Sequence, residues 1–305
     1  MKDQDINKLL KLPLAELMAL ADGIRRRTTG DTLELCGIMN AKSGLCGEDC
    51  KFCAQSSCHS TSAEAYPLKR TEEILERASR ARDIGAGRFG IVTSGNALMK
   101  EDLEAIARAI TRIKKEIDIE ICASLGELSR EDLAFLKRAG LSRYHHNIET
   151  SPGFFPKIVS THSFRDRVRT IKAAKEAGLK VCAGGIIGMG ETWSDRIDMA
   201  LALKELDADS VPLNILIPVK GTGLEGIKVV SCADVIRTIA IFRIILEDKI
   251  IRLAAGRESA LKDFQAMAFM AGASAMMIGG YLTVKGRAPE EDLRLVKEVK
   301  ELWAR

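Results

Sequence analysis

The sequence predicts an α/β protein, a (β/α)8 barrel of the TIM type with an N-terminal helix, and three observations support this fold. Short β-type runs alternate with amphipathic helical segments along the 305 residues. Eight such strand–helix units follow one another without a break in composition. Hydrophobic residues make up 46% of the chain, enough to fill one large core. A doubly wound open sheet is the alternative architecture for the same alternation.

The predicted elements follow one another in a regular order. The strands are Leu33–Met39, Arg88–Thr93, Ile119–Ala123, Arg143–Ile148, Leu179–Ile186, Ser210–Ile217, Ile250–Ala254 and Ala273–Ile278. The helices cover residues 71–84, 100–116, 129–139, 163–177, 192–206, 231–247, 258–271 and 289–303. Ser129, Ser163 and Ser231 are each followed three residues later by Asp, which is a helix-start signal. We therefore expect an N-terminal helical extension over residues 1–30 and a barrel domain over residues 31–305.

Charge and hydropathy argue against two classes of protein. The formal net charge of +4 is too small and too evenly spread for nucleic acid to be the main partner. No apolar run reaches the roughly 18 residues of a membrane-spanning helix. The first twenty residues interleave Lys, Asp and Glu with Leu, which indicates an amphipathic helix and not a signal peptide. We therefore expect a cytoplasmic protein with no membrane or nucleic-acid partner.

One alternate face of the third, fourth and fifth strands is polar, which is unusual for the interior of a packed barrel. Its residues are Glu120, Cys122 and Ser124, then Arg143, His145, Asn147 and Glu149, then Lys180, Cys182 and Gly184. The opposite face is apolar and should pack against the helices. The pattern thus predicts a hollow lumen that holds cofactors or a substrate.

Three cysteines lie close together after the first strand, in the segment KSGLCGEDCKFC. The spacing of Cys46, Cys50 and Cys53 allows three thiolates to bind three irons of a cubane cluster and leaves the fourth iron open. A zinc site without its fourth ligand is the alternative. The chain has eight cysteines, and in a reducing compartment metal or redox chemistry is favoured over disulfides.

This C-x3-C-x2-C motif, with Phe52 before the last cysteine, resembles that of the radical S-adenosylmethionine (SAM) superfamily. The resemblance implies a 4Fe-4S cluster on Cys46, Cys50 and Cys53, with SAM bound to the open iron. Reductive cleavage of SAM would give methionine and a 5′-deoxyadenosyl radical, which abstracts hydrogen from an unactivated carbon.

Further segments resemble the biotin synthase family, from about Leu33 to Arg294. They are KSGLCGEDCKFCAQ, YHHNIETSP, KVCAGGIIGMGE, VPLNILIPVKGTGL, RLAAGRE and QAMAFMAGA, in the order that the family has them. The resemblance implies a homodimeric barrel enzyme that receives electrons from a small protein such as flavodoxin or ferredoxin. It would insert sulfur from an auxiliary iron–sulfur cluster between C6 and C9 of dethiobiotin and cleave two SAM molecules for each biotin.

The same resemblance implies roles for other side chains. The cofactor-binding set is Phe52, Ser94, Asn147, Glu149, Arg167 and Ile186. Within it, Asn147 and Glu149 would contact the ribose of SAM, Arg167 its carboxylate and Ile186 its adenine. The substrate-binding set is His145, Asn147 and Asn214, whose amides would pair with the cyclic urea of dethiobiotin. Glu149 and His145 stand where the family usually has Asp and Asn.

The auxiliary site departs from the family pattern. Three residues match the family at this site: Cys122, Cys182 and Arg252, of which Arg252 is expected to be the catalytic residue. The third cysteine of the family is replaced by Gly90. Cys36 lies on the first strand, where most of the family has Ser, and it is expected to point into the lumen and compensate. This set predicts a four-iron auxiliary cluster with an extra sulfide, or otherwise a 2Fe-2S cluster. A small buried hydrophobic residue is the alternative role of Cys36.

Two other functions fit parts of the sequence. Another radical SAM enzyme on the same scaffold, such as a methylornithine-type mutase or a metal-cofactor maturase, would lack the set Cys122, Cys182 and Arg252. A non-catalytic zinc- or nucleotide-binding protein would be colourless, whereas iron–sulfur clusters would make the anaerobic protein brown. His59 and His162 are expected to be surface residues and not ligands.

Overall fold

The computed structural model describes residues 8–282 and 286–304, in which parallel strands form a closed ring. The strands are β1 Glu34–Lys42, β2 Arg88–Thr93, β3 Glu120–Ser124, β4 Arg143–His145, β5 Lys180–Cys182, β6 Gly185–Ile187, β7 Ser210–Ile215, β8 Ile250–Leu253 and β9 Ala275–Met277. Neighbouring strands pair in the order β5-β4-β3-β2-β1-β9-β8-β7-β6, and a pairing of β5 with β7 closes the ring. The predicted (β/α)8 barrel is confirmed, with β5 and β6 together forming its fifth strand.

The helices connect successive strands and pack against them. They are α1 Leu14–Thr28, α2 Thr71–Asp83, α3 Lys100–Glu116, α4 Arg130–Ala139, α5 Phe155–Ile158, α6 Phe164–Glu176, α7 Trp193–Glu205, α8 Cys232–Leu246, α9 Arg257–Leu261, α10 Gln265–Met270 and α11 Pro289–Trp303. The predicted helix 258–271 is divided by a 3-10 turn at Lys262–Phe264. Residues 1–7 of the predicted N-terminal extension lie outside the described residues. No helix in the described ranges has the length and apolar character that crossing a bilayer requires.

Hydroxyl side chains determine where several helices begin. Ser129, Ser163 and Ser231, which the sequence pattern indicated, accept hydrogen bonds from the backbone N–H three residues on and cap α4, α6 and α8. Thr192 caps α7 in the same way. Each cap satisfies an N–H that the first turn of a helix leaves unpaired, which stabilises the helix by about 1 kcal/mol.

The predicted fifth strand, Leu179–Ile186, is interrupted at Gly184. A Cβ added at Gly184 would lie 2.0 Å from the carbonyl oxygen of Pro212 on β7, so the backbones approach too closely for any side chain. The carbonyl of Gly184 accepts hydrogen bonds from the N–H groups of Ile148 and Glu149. These contacts divide the strand, and they also end β4 at His145, earlier than the sequence predicted.

The hydrophobic core lies between the ring and the helices. Outward-facing strand residues such as Ile91, Ile121, Val181, Val211 and Ile251 are at most 1% exposed. Burial of each such side chain stabilises the fold by about 1.5–3 kcal/mol. The apolar face of the strands is therefore used by the helices, which leaves the polar face for the lumen.

Candidate active site

The lumen holds a cavity of about 340 Å³, a size typical of ligand pockets. Alternate strand residues line it, and they include most of the polar face that the sequence indicated. The lining contains Cys36, Gly90, Cys122, Ser124, His145, Asn147, Glu149, Cys182, Asn214 and Arg252. Tyr281 and Leu282, which follow β9, also border the cavity. The interior of this barrel is thus a chamber in which thiols, amides and charged groups lie among apolar side chains such as Ile38, Val92 and Met277.

The structure brings the predicted auxiliary residues to one part of this chamber. Cys36 on β1, Cys122 on β3 and Cys182 on β5 are 5%, 6% and 2% exposed. Arg252 on β8 lines the same cavity, and its Nη1 lies 4.0 Å from Cys182 Sγ. Three thiols that are far apart in sequence therefore surround one buried space, which suits a cluster whose irons each bind a separate thiolate.

Gly90 lies on β2, between the strands that carry Cys36 and Cys122. A Cβ added at Gly90 would lie 3.1 Å from Ile38 Cγ2, so the Ile38 side chain takes part of the space that the glycine leaves. Ile38 bounds this side of the chamber. Both neighbouring strands carry a thiol: Cys122 on β3 is level with Gly90, and Cys36 on β1 is level with Arg88.

Neighbouring charges affect the three thiols differently. Burial raises the pKa of Cys36 and of Cys122. Burial acts in the same direction on Cys182, but His145, and then Arg252, lower the pKa of Cys182 to about 6. The thiolate is the form of cysteine that binds metal, and the surroundings of Cys182 stabilise that form.

His145, predicted to contact the substrate, lies beside Cys182 in the register of β4 and β5. Burial lowers the pKa of His145, but the charge of Cys182 and a hydrogen bond to it raise that pKa above its ordinary value overall. Asn147 follows two residues later on the same face of the chain and lines the same cavity. His145 therefore contacts the thiol of Cys182 and lines the same cavity as the two amides.

The two predicted substrate amides also join strands. Asn147 Oδ1 accepts a hydrogen bond from the Gly184 N–H at 3.1 Å, and its Nδ2 donates to Glu149 Oε2 at 3.3 Å. Asn214 bridges two strands in a similar way. Its Nδ2 donates to the Gly185 carbonyl on β6 at 3.3 Å, and its Oδ1 accepts from the Ala255 N–H, just after β8, at 3.2 Å. Each amide keeps one N–H and one acceptor position for a ligand. Their orientation is set before any ligand binds.

Glu149 has an unusual backbone conformation. Its φ of +64° lies in the left-handed region, which residues other than glycine rarely adopt and which costs about 1–3 kcal/mol. Its N–H donates to the Gly184 carbonyl at 3.2 Å, and its carbonyl accepts from the Ile186 N–H at 2.8 Å. These bonds hold the strained residue in place, with its side chain on the cavity.

The loop that carries the cysteine motif is organised by a side chain that the sequence did not single out. Gln55 Oε1 accepts hydrogen bonds from Ser43 Oγ at 3.0 Å, the Gly44 N–H at 3.2 Å and Asn40 Nδ2 at 3.3 Å. The Cys46 N–H donates to the Gln55 carbonyl at 3.2 Å. One glutamine thus joins the end of β1 to both sides of the loop.

The thiols of this loop lie near one another. Burial raises the pKa of Cys50 and of Cys53, and the charges of the neighbouring cysteines raise it further. Cys50 belongs to a small apolar cluster against which Phe52 and Ile186 pack. Within residues 8–282 and 286–304, no three His, Cys, Asp or Glu side chains are placed to share a single ion. An iron–sulfur cluster needs no such convergence, because each thiolate binds its own iron, and the three thiols fit that group.

Ser94, predicted as a cofactor contact, is buried at the end of β2. Its hydroxyl donates to the Gly44 carbonyl at 2.8 Å, and its N–H donates to the Lys42 carbonyl at 2.9 Å. Ser94 therefore ties β2 to the start of the cysteine loop.

The expectation of a surface position for His162 is wrong, because its side chain is only 4% exposed. Its Nδ1 lies 2.5 Å from Glu48 Oε2 in the cysteine loop, and its Nε2 accepts from Arg167 Nε at 3.1 Å. The Phe155 ring meets the imidazole edge-on, with 5.6 Å between ring centroids. Arg167 Nη1 lies 3.9 Å from Glu149 Oε1. A continuous polar chain thus connects the cysteine loop with the lumen.

Two family profiles match this chain in adjacent segments. The profile of the radical SAM superfamily covers residues 42–203, and that of the biotin and thiamin synthesis associated domain covers residues 212–300. Biotin synthase of Thermotoga petrophila is 49% identical over 298 residues, which are 97% of this chain and 98% of the relative. Biotin synthase of Thermotoga neapolitana is 54% identical over 271 residues, 88% of this chain and 97% of the relative.

Solved structures show the same fold at low sequence identity. Methylornithine synthase has a TM-score of 0.84 at 21% identity, over 97% of this chain and 92% of that chain. HydG, a maturase of the FeFe-hydrogenase, has a TM-score of 0.80 at 18% identity, over 95% of this chain and 69% of that chain. An identity of about 20% to these structures shows only that the barrel fold is shared. The two Thermotoga relatives, in contrast, are about 50% identical over nearly the full chain. This protein therefore belongs to the biotin synthase family of the radical SAM superfamily.

Proposed function

We propose that this protein is a biotin synthase, which inserts sulfur between C6 and C9 of dethiobiotin. The observation that carries the proposal is the single chamber in which Cys36, Cys122, Cys182 and Arg252 face the same space as the amide of Asn214. Strand ends and the loops after them form the active face of such barrels, and the cysteine loop follows β1 at that face. The relatives of nearly equal length support this function over a mutase or a maturase.

The radical site is proposed to hold a 4Fe-4S cluster on Cys46, Cys50 and Cys53, with SAM beside it. When bound, SAM supplies the 5′-deoxyadenosyl radical that abstracts hydrogen from dethiobiotin. The protein contributes positioning and exclusion of water. The guanidinium of Arg167, held by His162, is available for a carboxylate, because an arginine fork pairs well with one.

The remaining SAM contacts are proposed from the surroundings of the same loop. Phe52 and Ile186 lie against the apolar cluster around Cys50 and offer a surface for adenine. Asn147 and Glu149 lie at the cavity with their side chains hydrogen-bonded to each other, and both can pair with ribose hydroxyls.

The auxiliary cluster is proposed to occupy the lumen on Cys36, Cys122 and Cys182, with Arg252 beside or on it. Four irons with an extra sulfide are proposed, and a 2Fe-2S cluster is the alternative. Cys36 supplies a thiol to the chamber, whereas Gly90 has no side chain. This difference supports an arrangement of cluster ligands that departs from the usual family pattern. His145, next to Cys182, is available both to the cluster and to the substrate.

We also propose a cytoplasmic homodimer with a helical extension over residues 1–30 and a barrel over residues 31–305. Flavodoxin or ferredoxin is proposed as the electron donor. In support, Lys51 in the cysteine loop donates through Nζ to the carbonyl of Lys157 at 2.8 Å, and both side chains are exposed. Two positive side chains beside the loop would attract an acidic electron carrier.

Cys50→Ala should abolish production of 5′-deoxyadenosine, because it removes one thiolate from the SAM-binding cluster. The product is measured by chromatography after anaerobic incubation with SAM and dithionite. Cys58→Ala is the control, since Cys58 is exposed, and it should cleave SAM at the rate of the unaltered protein. Undiminished cleavage by Cys50→Ala would remove the basis for this cluster assignment.

Cys36→Ser should lose auxiliary iron and sulfide and, with them, biotin formation. Abortive SAM cleavage should persist, because the cluster in the Cys46 loop is separate. Iron and acid-labile sulfide per chain and the biotin yield are measured together. Cys232→Ser, at the start of α8, should behave as the unaltered protein does. Normal biotin formation by Cys36→Ser would show that the auxiliary sulfur lies elsewhere.

Asn214→Ala should weaken dethiobiotin binding by about 1–3 kcal/mol, the cost of an unpaired buried polar group. SAM affinity should change little, because its proposed contacts lie on other strands. Both affinities are measured by calorimetry. Asn214 also bridges β6 and β8, so the Tm is recorded for the same samples. An equal loss of affinity for both ligands would identify Asn214 as a structural residue.

His162→Ala should raise the Kd of SAM by about tenfold, or about 1.4 kcal/mol, because Arg167 loses the acceptor that orients it. The cluster should remain, since its thiolates are untouched. Kd and iron content are measured on anaerobically reconstituted protein. His162→Gln, which keeps an acceptor, should recover part of the affinity. Loss of iron with an unchanged Kd would mean that His162 supports only the loop.

A further inference from the structure

At the N-terminal end of the strands, one carboxylate contacts three arginines. Glu34 Oε1 on β1 lies 3.3 Å from Arg88 Nε on β2 and 3.2 Å from Arg143 Nη1 on β4. Arg252 Nη2 on β8 also donates to this oxygen. The three guanidiniums come from different parts of the ring. Glu34 lies two residues before Cys36, so its side chain is on the face of β1 that points into the lumen.

This group carries more positive than negative charge. Burial raises the pKa of Glu34, but Arg252, Arg143 and Arg88 lower it below its ordinary value overall, and arginine stays protonated in proteins. Among the described ion pairs, Glu120 is the other acid on these arginines. It lies 3.8 Å from Arg88 and its side chain is 47% exposed, so water screens its charge. Arg143 and Arg252 therefore share one carboxylate.

Two of the arginines also have hydrogen-bond donors without partners. Arg143 and Arg252 are 2% and 3% exposed, and the Nε of each is buried without an acceptor in the described structure. Unpaired donors and uncompensated charges are both costly inside a protein. A further anionic group beside these arginines would satisfy both needs, and Arg252 lines the cavity that contains the thiols.

Other buried arginines of the described chain are balanced in a different way. Arg25 has two carboxylates, Asp22 at 2.8 Å, which Arg26 shares, and Asp31 at 3.7 Å. Arg257 also has two, Asp292 at 2.7 Å and Glu258 at 3.3 Å. Arg243 donates to backbone carbonyls at distances that include 2.8 and 2.9 Å. The sharing of Glu34 among three guanidiniums is therefore not how this fold ordinarily accommodates a buried arginine.

We propose that Glu34 and Arg143 set the net charge of the wall that faces the auxiliary cluster, and that its excess positive charge retains a cluster rich in negative charge. The inference rests on the proposed function, because it requires the cluster to occupy the lumen. An extra sulfide adds negative charge to the same three thiolates, and opposite charges attract strongly in a dry interior. Glu34 and Arg143 act on the cluster through their contact network with Arg252 and through their electrostatic field. They are therefore positioning residues.

The test measures the reduction potential of the auxiliary cluster in anaerobically reconstituted full-length protein, by redox titration followed by electron paramagnetic resonance. Arg143→Gln removes a positive charge, so reduction becomes harder and the potential should fall. Glu34→Gln removes a negative charge, so the potential should rise. The ratio of sulfide to iron should fall only in Arg143→Gln. A residue that merely supports the fold would not move the potential in opposite directions in the two variants.

Lys180→Gln is the matched control. Lys180 on β5 is level with Arg143 on β4 and carries the same charge, but its side chain is exposed, so its loss should leave the potential unchanged. Arg143→Lys keeps the charge and should retain the cluster even where Arg143→Gln loses it. Three results would overturn the inference while the proposed function stands. They are potentials that shift with the same sign in Arg143→Gln and Glu34→Gln, potentials that shift in neither variant, and loss of the cluster in Arg143→Lys. Iron bound only at the Cys46 loop of the unaltered protein would overturn both.

Discussion

Closure of the parallel ring is the constraint on which the rest of the structure depends. Pairing of Cys182 on β5 with Ser210 on β7 joins the two ends of the sheet. In a closed ring, every second side chain of every strand must point into the lumen. Barrels of this type usually fill that space with Val, Ile and Leu, which pack it solid. Here thiols, amides and charged groups take several of those positions beside the remaining apolar residues, and a chamber results.

A polar chamber is compatible with a stable fold only where its polar groups are paired. Asn147 and Asn214 each form a hydrogen bond with a neighbouring backbone group. These bonds stiffen the wall of the chamber and orient the amide atoms that stay free for a ligand. Among the described residues, the arginines around Glu34 are one place where pairing stays incomplete, since the Nε of Arg143 and the Nε of Arg252 lack acceptors. Because unpaired buried groups are rare in native proteins, this place marks where the chamber is built for something other than packing.

The cysteine loop and the chamber are connected by a continuous series of polar contacts. Gln55 fixes the loop to the end of β1, and Glu48 within the loop reaches His162, which holds Arg167 on α6. Arg167 in turn approaches Glu149, whose strained backbone is held by β6. Groups proposed to bind one cofactor are thus positioned by contacts among three separate segments, so their spacing depends on the barrel as a whole.

The sequence by itself determined the barrel class, the order of its elements, the starts of three helices, the cysteine motif and the polar face of the strands. These features depend on local signals, namely a period of two in strands, capping residues and short motif spacings, which are readable without long-range contacts. Only the tertiary structure decided the break at Gly184, the burial of His162 and the meeting of Arg88, Arg143 and Arg252 at Glu34. Each of these depends on how closely strands or loops from distant parts of the chain approach, and that distance is set by packing and register around the closed ring, which no local pattern encodes.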